Sequence, residues 1–172
     1  MKRILAVLLA ALLLIAAVPA TSLAEGIVSN GDTKVYHAQT NGSNLMLRRE
    51  PGTTTSVISS LPNGTALAKI SSKTVKKNGF TWINVKTMNG IKGWVADKYV
   101  RENARADINT QKDGLRVRSS RNASSTTNIL YSIPHGTKGV LVYKTNGNWA
   151  YVSWNGKPKG WAFLSYLKWA RW

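Results

Sequence analysis

The sequence predicts an all-β protein built as two tandem small β-barrels, each of five to six short antiparallel strands. Three observations predict it. Five blocks of residues recur in one order in the two halves of the chain, apolar residues alternate with polar ones at a period of two, and turn signals separate the alternating runs. Beyond residue 24 no segment shows a convincing helical period; at most a single turn precedes Tyr99 and Tyr166.

The chain begins with Lys2 and Arg3, then an apolar run from Ile4 to Val18, then Ser22-Leu23-Ala24, which has the small-x-small form of a cleavage site. Residues 1–24 therefore read as a signal peptide. A run that ends at Pro19 is shorter than the ~20 residues that cross a bilayer, so no transmembrane anchor is expected after cleavage.

The blocks of the duplication follow. Leu45-Met46-Leu47-Arg48 returns 70 residues later as Leu115-Arg116-Val117-Arg118. Leu61-Pro62-Asn63-Gly64-Thr65 returns as Ile133-Pro134-His135-Gly136-Thr137, Trp82-Ile83-Asn84-Val85 as Trp149-Ala150-Tyr151-Val152, and Lys92-Gly93-Trp94-Val95 as Lys159-Gly160-Trp161-Ala162, with Tyr99 matched by Tyr166. A repeat of this length is too long for a solenoid unit and suits a small domain. The two units are expected at residues 33–101 and 105–168, joined by a short polar connector from Arg101 to Ala106 and followed by a basic-aromatic tail at 169–172.

Each element of the unit has a local reason. In the opening strand Leu45 and Leu47, or Leu115 and Val117, point to one face, and Arg48 or Arg118 should sit outside. A Ser/Thr-rich loop follows, Thr53 to Ser56 or Ser124 to Thr127. The Pro-x-Gly triplets make a turn, since proline presets its own φ and glycine accepts a positive one. Asn89-Gly90 and Asn155-Gly156 are hairpin signals between a Trp-led strand and a Gly-Trp strand. Units this short have small cores, so the matched Trp82/Trp149 and Trp94/Trp161 are expected to fill them, and Trp161→Ala is expected to cost about 3–5 kcal/mol.

The chain holds 24 Lys and Arg against 7 Asp and Glu. Loss of residues 1–24 removes two basic residues and no acid, which leaves a formal charge of +15. Such a charge favours polyanionic partners, with simple solubility as the plainer reading. There is no cysteine, which excludes disulfides, a thiolate nucleophile and cysteine-bound zinc. The histidines are His37 and His135, and His135 stands where the first unit has Asn63 in a turn. The seven carboxylates are scattered. Neither a nucleophile with its base nor a paired-acid motif stands out, so the chain reads as a non-enzyme with no metal and no cofactor.

These motifs together resemble the bacterial SH3-type (SH3b) domains. The likeness lies in the Leu-x-(Leu/Val)-Arg strand, the Leu/Ile-Pro-x-Gly-Thr turn, the Trp-x-x-Val strand and the closing Asn-Gly to Lys-Gly-Trp hairpin. The resemblance implies two tandem SH3-like barrels and a binding role in the bacterial envelope. It implies a secreted protein, extracellular or cell-wall associated, or periplasmic in a Gram-negative cell. The partner it suggests is peptidoglycan or an anionic wall polymer. The alternative is a cell-wall hydrolase that the chain regulates, while export and the resemblance weigh against nucleic acid.

Four residues are candidate ligand contacts. Arg48 and Arg118 carry forked donors suited to carboxylates or phosphates. Tyr151 and Trp154 are aromatic where the first unit has Asn84 and Met88, and form either a platform for sugar rings or peptide backbone, or packing between the barrels or against the tail. Lys168-Trp169-Ala170-Arg171-Trp172 either meets an anionic interface or seals the second barrel.

Overall fold

The computed structural model describes residues 31–171, so the signal-peptide reading falls outside the described residues. The first half contains β1 (Thr33–Ala38), β2 (Leu45–Arg48), β3 (Val57–Leu61), β4 (Ala66–Lys77), β5 (Phe80–Thr87), β6 (Lys92–Ala96) and β7 (Val100–Glu102). The second contains β8 (Ala104–Ile108), β9 (Leu115–Arg118), β10 (Ile129–Ile133), β11 (Val140–Asn146), β12 (Trp149–Ser153), β13 (Gly160–Phe163) and β14 (Leu167–Trp169). The described chain is all-β, with single 3-10 turns at Asp97–Tyr99 and Leu164–Tyr166. Each half has seven strands where five or six are expected, because β7 and β14 are only three residues long and show no alternation to read.

Every strand pair is antiparallel, and the pairing runs as one fourteen-stranded sheet in the order β10-β9-β13-β12-β11-β1-β4-β5-β6-β2-β3. Off this path β7 pairs with β1, while β8 pairs with β11 and β14. The halves repeat one plan, since β2, β3, β4, β5 and β6 are joined as β9, β10, β11, β12 and β13 are. They meet at β1, whose Val35 to His37 pair with β4 while Thr33 and Lys34 pair with Thr145 and Lys144 of β11.

The expected connector is strand almost throughout. Asn103 alone separates β7 from β8, in the left-handed region at φ 66°. It donates its N–H to Val35 O at 2.8 Å, and its carbonyl lies 2.6 Å from His37 Nδ1. A side chain that tolerates this conformation lets the chain leave one half and enter the other within one residue.

Two buried clusters form the interior, and they do not divide where the repeat divides. One holds Leu45, Leu47, Leu61, Leu67, Ile83, Val85 and Val95 of the first half. The other holds Leu115, Val117, Ile133, Val140, Val142 and Val152 together with Val35, Ala66, Ala68 and Met88 from the first half. Three consecutive residues of β4 are buried for this reason: Leu67 faces the first cluster, Ala66 and Ala68 the second. Alanines on both sides, Ala66 and Ala68 against Ala104 and Ala106, keep the seam narrow enough to exclude water.

The tryptophan expectation holds at one position and fails at three. Trp82 is 3% exposed, and its indole N–H donates to Lys77 O at 3.0 Å. Trp94, Trp149 and Trp161 are half-buried on the outer face. The interior leaves no room for them at these strands. A Cβ on Gly160 would lie 2.6 Å from Val117 Cγ1 and 2.7 Å from Arg118 O, and one on Gly93 would lie 2.7 Å from Arg48 O. The strands cross so closely there that the glycine faces inward and the following tryptophan must face out.

The turn signals form as expected. Thr65 and Thr137 donate their N–H groups to Pro62 O and Pro134 O at 3.1 and 3.3 Å. At Asn155-Gly156 both residues have positive φ, 49° and 70°, and Lys157 N–H closes the turn on Trp154 O at 3.0 Å.

Candidate functional site

Strands β12 and β13 build an aromatic face by strict alternation. Ala150, Val152, Gly160 and Ala162 are buried, while Trp149, Tyr151, Trp161 and Phe163 face out and remain half-exposed. The register sets Trp149 opposite Phe163 and Tyr151 opposite Trp161. Trp149 stacks on Phe163 with centroids 4.2 Å apart and planes at 23°; Tyr151 and Trp161 lie 5.0 Å apart at 50°. Tyr166, from the 3-10 turn, meets Phe163 edge-on at 6.4 Å. Each such pair contributes on the order of 0.5–1.5 kcal/mol beyond burial, so the rings form an ordered platform.

Cations rim the platform. Lys144 Nζ lies 5.1 Å from the Tyr151 ring and 5.2 Å from Trp161, and the Arg121 guanidinium lies 5.3 Å from Trp161. Arg121 also donates to Asn146 Oδ1. Asp32 enters this group from the segment before β1, accepting from Lys144 at 2.6 Å and from Asn146 Nδ2 at 2.9 Å. Hydrogen bonds from Asn146 and from Lys144 hold the Asp32 carboxyl below its ordinary pKa. Between Trp149, Trp161 and the Ser119–Asn122 loop lies a shallow depression of about 620 Å³.

The first half treats the same positions differently. Trp82 is buried within the long β4–β5 hairpin, opposite Val75 and with Phe80 6.1 Å away, and Lys98 Nζ stands 4.4 Å over Phe80 and 4.8 Å over Tyr99. The result is a smaller cleft of about 170 Å³, with Asn44, Met46, Arg48, Phe80 and Tyr99 among its walls.

Of the four candidate contacts, Tyr151 alone lies on the platform. Arg118, expected outside, is 5% exposed: its Nη1 donates to Ser125 O and to Asn128 Oδ1, the latter at 2.7 Å. Arg48 makes the matching bond to Thr55 O and is half-buried. The alternation does turn both arginines away from the core, but each folds back to hold the loop that follows its strand. Trp154 packs against the second buried cluster, next to the Asn155-Gly156 turn. Trp169 of the tail is paired with Ala106 and packs against the same cluster. His135 Nδ1 lies 3.2 Å from Thr110 Oγ1, as Asn63 Oδ1 accepts from Thr40 in the first half, so it acts as part of a turn. Among the described residues no group of three or more His, Asp or Glu is gathered to hold a metal ion.

Sequence reasoning missed Trp149, Trp161, Phe163, Lys144 and Arg121 as surface residues. The signal was present in Trp-Ala-Tyr-Val and Gly-Trp-Ala-Phe, where small residues alternate with rings.

A family model described as bacterial SH3 domain matches residues 43–101. Residues 43–101 are a bacterial SH3 domain. This SH3 domain begins just before β2 and ends inside β7, so it takes in most of the first half. A protein of Bacillus subtilis named as an N-acetylmuramoyl-L-alanine amidase, YrvJ, is 30% identical over 139 residues, which are 72% of this chain and 25% of that protein. The chain thus spans about a quarter of the length of this curated relative. Among solved structures, NlpC2 from Trichomonas vaginalis overlaps 81% of this chain and 49% of its own, at 14% identity and a TM-score of 0.38. NlpC1 from the same organism overlaps 78% and 45%, at 16% identity and a TM-score of 0.36.

Proposed function

We propose that the chain is a secreted, non-catalytic binding protein of two tandem SH3-like barrels, residues 33–101 and 105–168, that adheres to bacterial peptidoglycan through the aromatic face of its second half. The observation that carries this reading is the platform of Trp149, Tyr151, Trp161 and Phe163 rimmed by Lys144 and Arg121. Flat rings accept the C–H faces of sugars, and cations pair with the free carboxylates that peptidoglycan carries on its peptides. The bacterial SH3 domain and the amidase-named relative support a wall setting, and the formal charge of +15 left without residues 1–24 favours an anionic surface. Among the described residues no helix is long and apolar enough to cross a membrane.

The test is retention of the full mature chain on purified sacculi stripped of phosphate polymers. Trp149→Ala combined with Trp161→Ala should weaken retention about tenfold or more, which corresponds to roughly 1.4 kcal/mol. Retention equal to the parent would remove the platform from the account. Release of murein fragments by the purified chain would end the non-catalytic reading.

A further inference from the structure

A second cleft lies at the seam between the halves, about 230 Å³ in volume. Its walls combine Lys34 and Tyr36 of β1, Glu102 of β7, Tyr143 and Lys144 of β11, Tyr151 of β12 and Lys159 just before β13. Neither half alone supplies this set.

We propose that the seam cleft is a binding site for a phosphate group carried on a polyol or sugar. The cations decide the chemistry. Three ammonium groups and no guanidinium line the cleft, and three lysines are point charges that can surround a tetrahedral phosphate from several sides, where the arginine fork that grips a carboxylate or phosphate in one plane is missing from the lining. Lys159 Nζ stands 4.1 Å from the Tyr143 ring centroid, with no carboxylate within 4.0 Å among the described residues. Lys34 is held only loosely, 3.9 Å from Glu102, with both side chains about 70% exposed, so it can turn to an incoming anion at little cost. Lys144 is shared with Asp32 at 2.6 Å and supplies a fixed edge to the site. The Tyr36, Tyr143 and Tyr151 rings give the organic part of the ligand a surface to lie on.

The site is built in advance of any ligand. β1 is hydrogen-bonded to β4 on one edge and to β11 on the other, and the alanine-lined seam beneath it is closed. The strands that carry the lysines of the two halves are thus fixed beside one another, and only the exposed Lys34 side chain has to turn from Glu102 toward an anion.

The inference goes beyond the peptidoglycan reading and is tested separately, with the full chain in solution. Glycerol 3-phosphate, short poly(glycerol phosphate) and a neutral chitooligosaccharide are titrated in turn at low salt. Binding of both phosphates, tighter for the polymer, identifies a polymer source; equal binding per phosphate identifies the free ester. Lys34→Ala with Lys159→Ala, both exposed and remote from either core, should weaken phosphate binding tenfold or more and leave the melting temperature unchanged. Trp149→Ala should change it less than twofold. The proposal is overturned if the parent binds neither phosphate, if the double lysine variant binds as the parent does, or if Trp149→Ala costs more than the lysine pair. Retention on phosphate-free sacculi reads the aromatic face alone, so either proposal can fail without the other.

Discussion

Trp82 and Trp149 hold one position in the duplicated unit and have opposite fates. Trp82 is the third residue of β5, paired with Val75 of the twelve-residue β4, 3% exposed and with its N–H bonded to Lys77 O. Trp149 is the first residue of β12, directly after a turn from the seven-residue β11, half-exposed and stacked on Phe163. The two tryptophans differ in burial where the hairpins differ in length: the twelve-residue β4 pairs with β5 beside the buried Trp82, and the seven-residue β11 pairs with β12 beside the half-exposed Trp149.

The largest expected effect separates the two residues directly. Trp82→Ala should lower stability by about 3–5 kcal/mol in urea unfolding, as for a buried ring. Trp149→Ala should lower it by less than about 1.5 kcal/mol, the scale of a lost ring pair, while weakening retention on sacculi. Equal losses of stability would erase the comparison.

A smaller effect tests the arginines. Arg118 is buried and Arg48 half-buried, so Arg118→Met leaves the half-buried Ser125 O and Asn128 Oδ1 without their donor, at a cost of roughly 1–3 kcal/mol. Arg48→Met should cost about half as much or less, because Arg48 is itself half-buried and holds its loop by the bond to Thr55 O where Arg118 makes two. A larger loss at Arg48 would reverse the burial order of the two loops.

The smallest effect is electrostatic and belongs to the second half. Asp32 is held below its reference value of 3.8 by Asn146 and Lys144, so its folded pKa is the depressed one. Its contribution to stability is therefore present above the unfolded value and lost as pH falls through the folded one. The Asp32 carboxyl should titrate below 3.8 by NMR, and Lys144→Ala should bring it up. A midpoint unmoved by that substitution would separate Asp32 from the cationic rim.

The strand plan that the two halves share is legible in the sequence because turns and close strand crossings demand particular residues. Lys-Gly-Trp recurs since a Cβ at Gly93 or Gly160 would meet backbone, and Pro-x-Gly-Thr recurs since the turn closes on the proline carbonyl. Which way the tryptophans face is less legible. Period-two alternation gives two faces but not which is inner; here the inner one is marked by the small residue of each pair, Ala150 or Gly160, against the expectation that the larger ring is buried. The seam is illegible because it depends on pairings such as Thr33 with Thr145, which no local pattern records. The fold-back of Arg118 is hidden for a similar reason, since its acceptors lie in a loop without periodicity.

The position of β1 also sets an order of events. It is the earliest strand described, yet one of its edges is completed only by residues 144 and 145 of β11. A chain emerging amino end first from a ribosome or a translocation channel can lay β1 against β4 early, but must produce more than a hundred further residues before that other edge is satisfied. Contacts so distant along the chain form late and slowly. For that interval Thr33 and Lys34 offer an unfilled strand edge, which is where a chaperone or a second copy of the chain would compete with the protein's own β11.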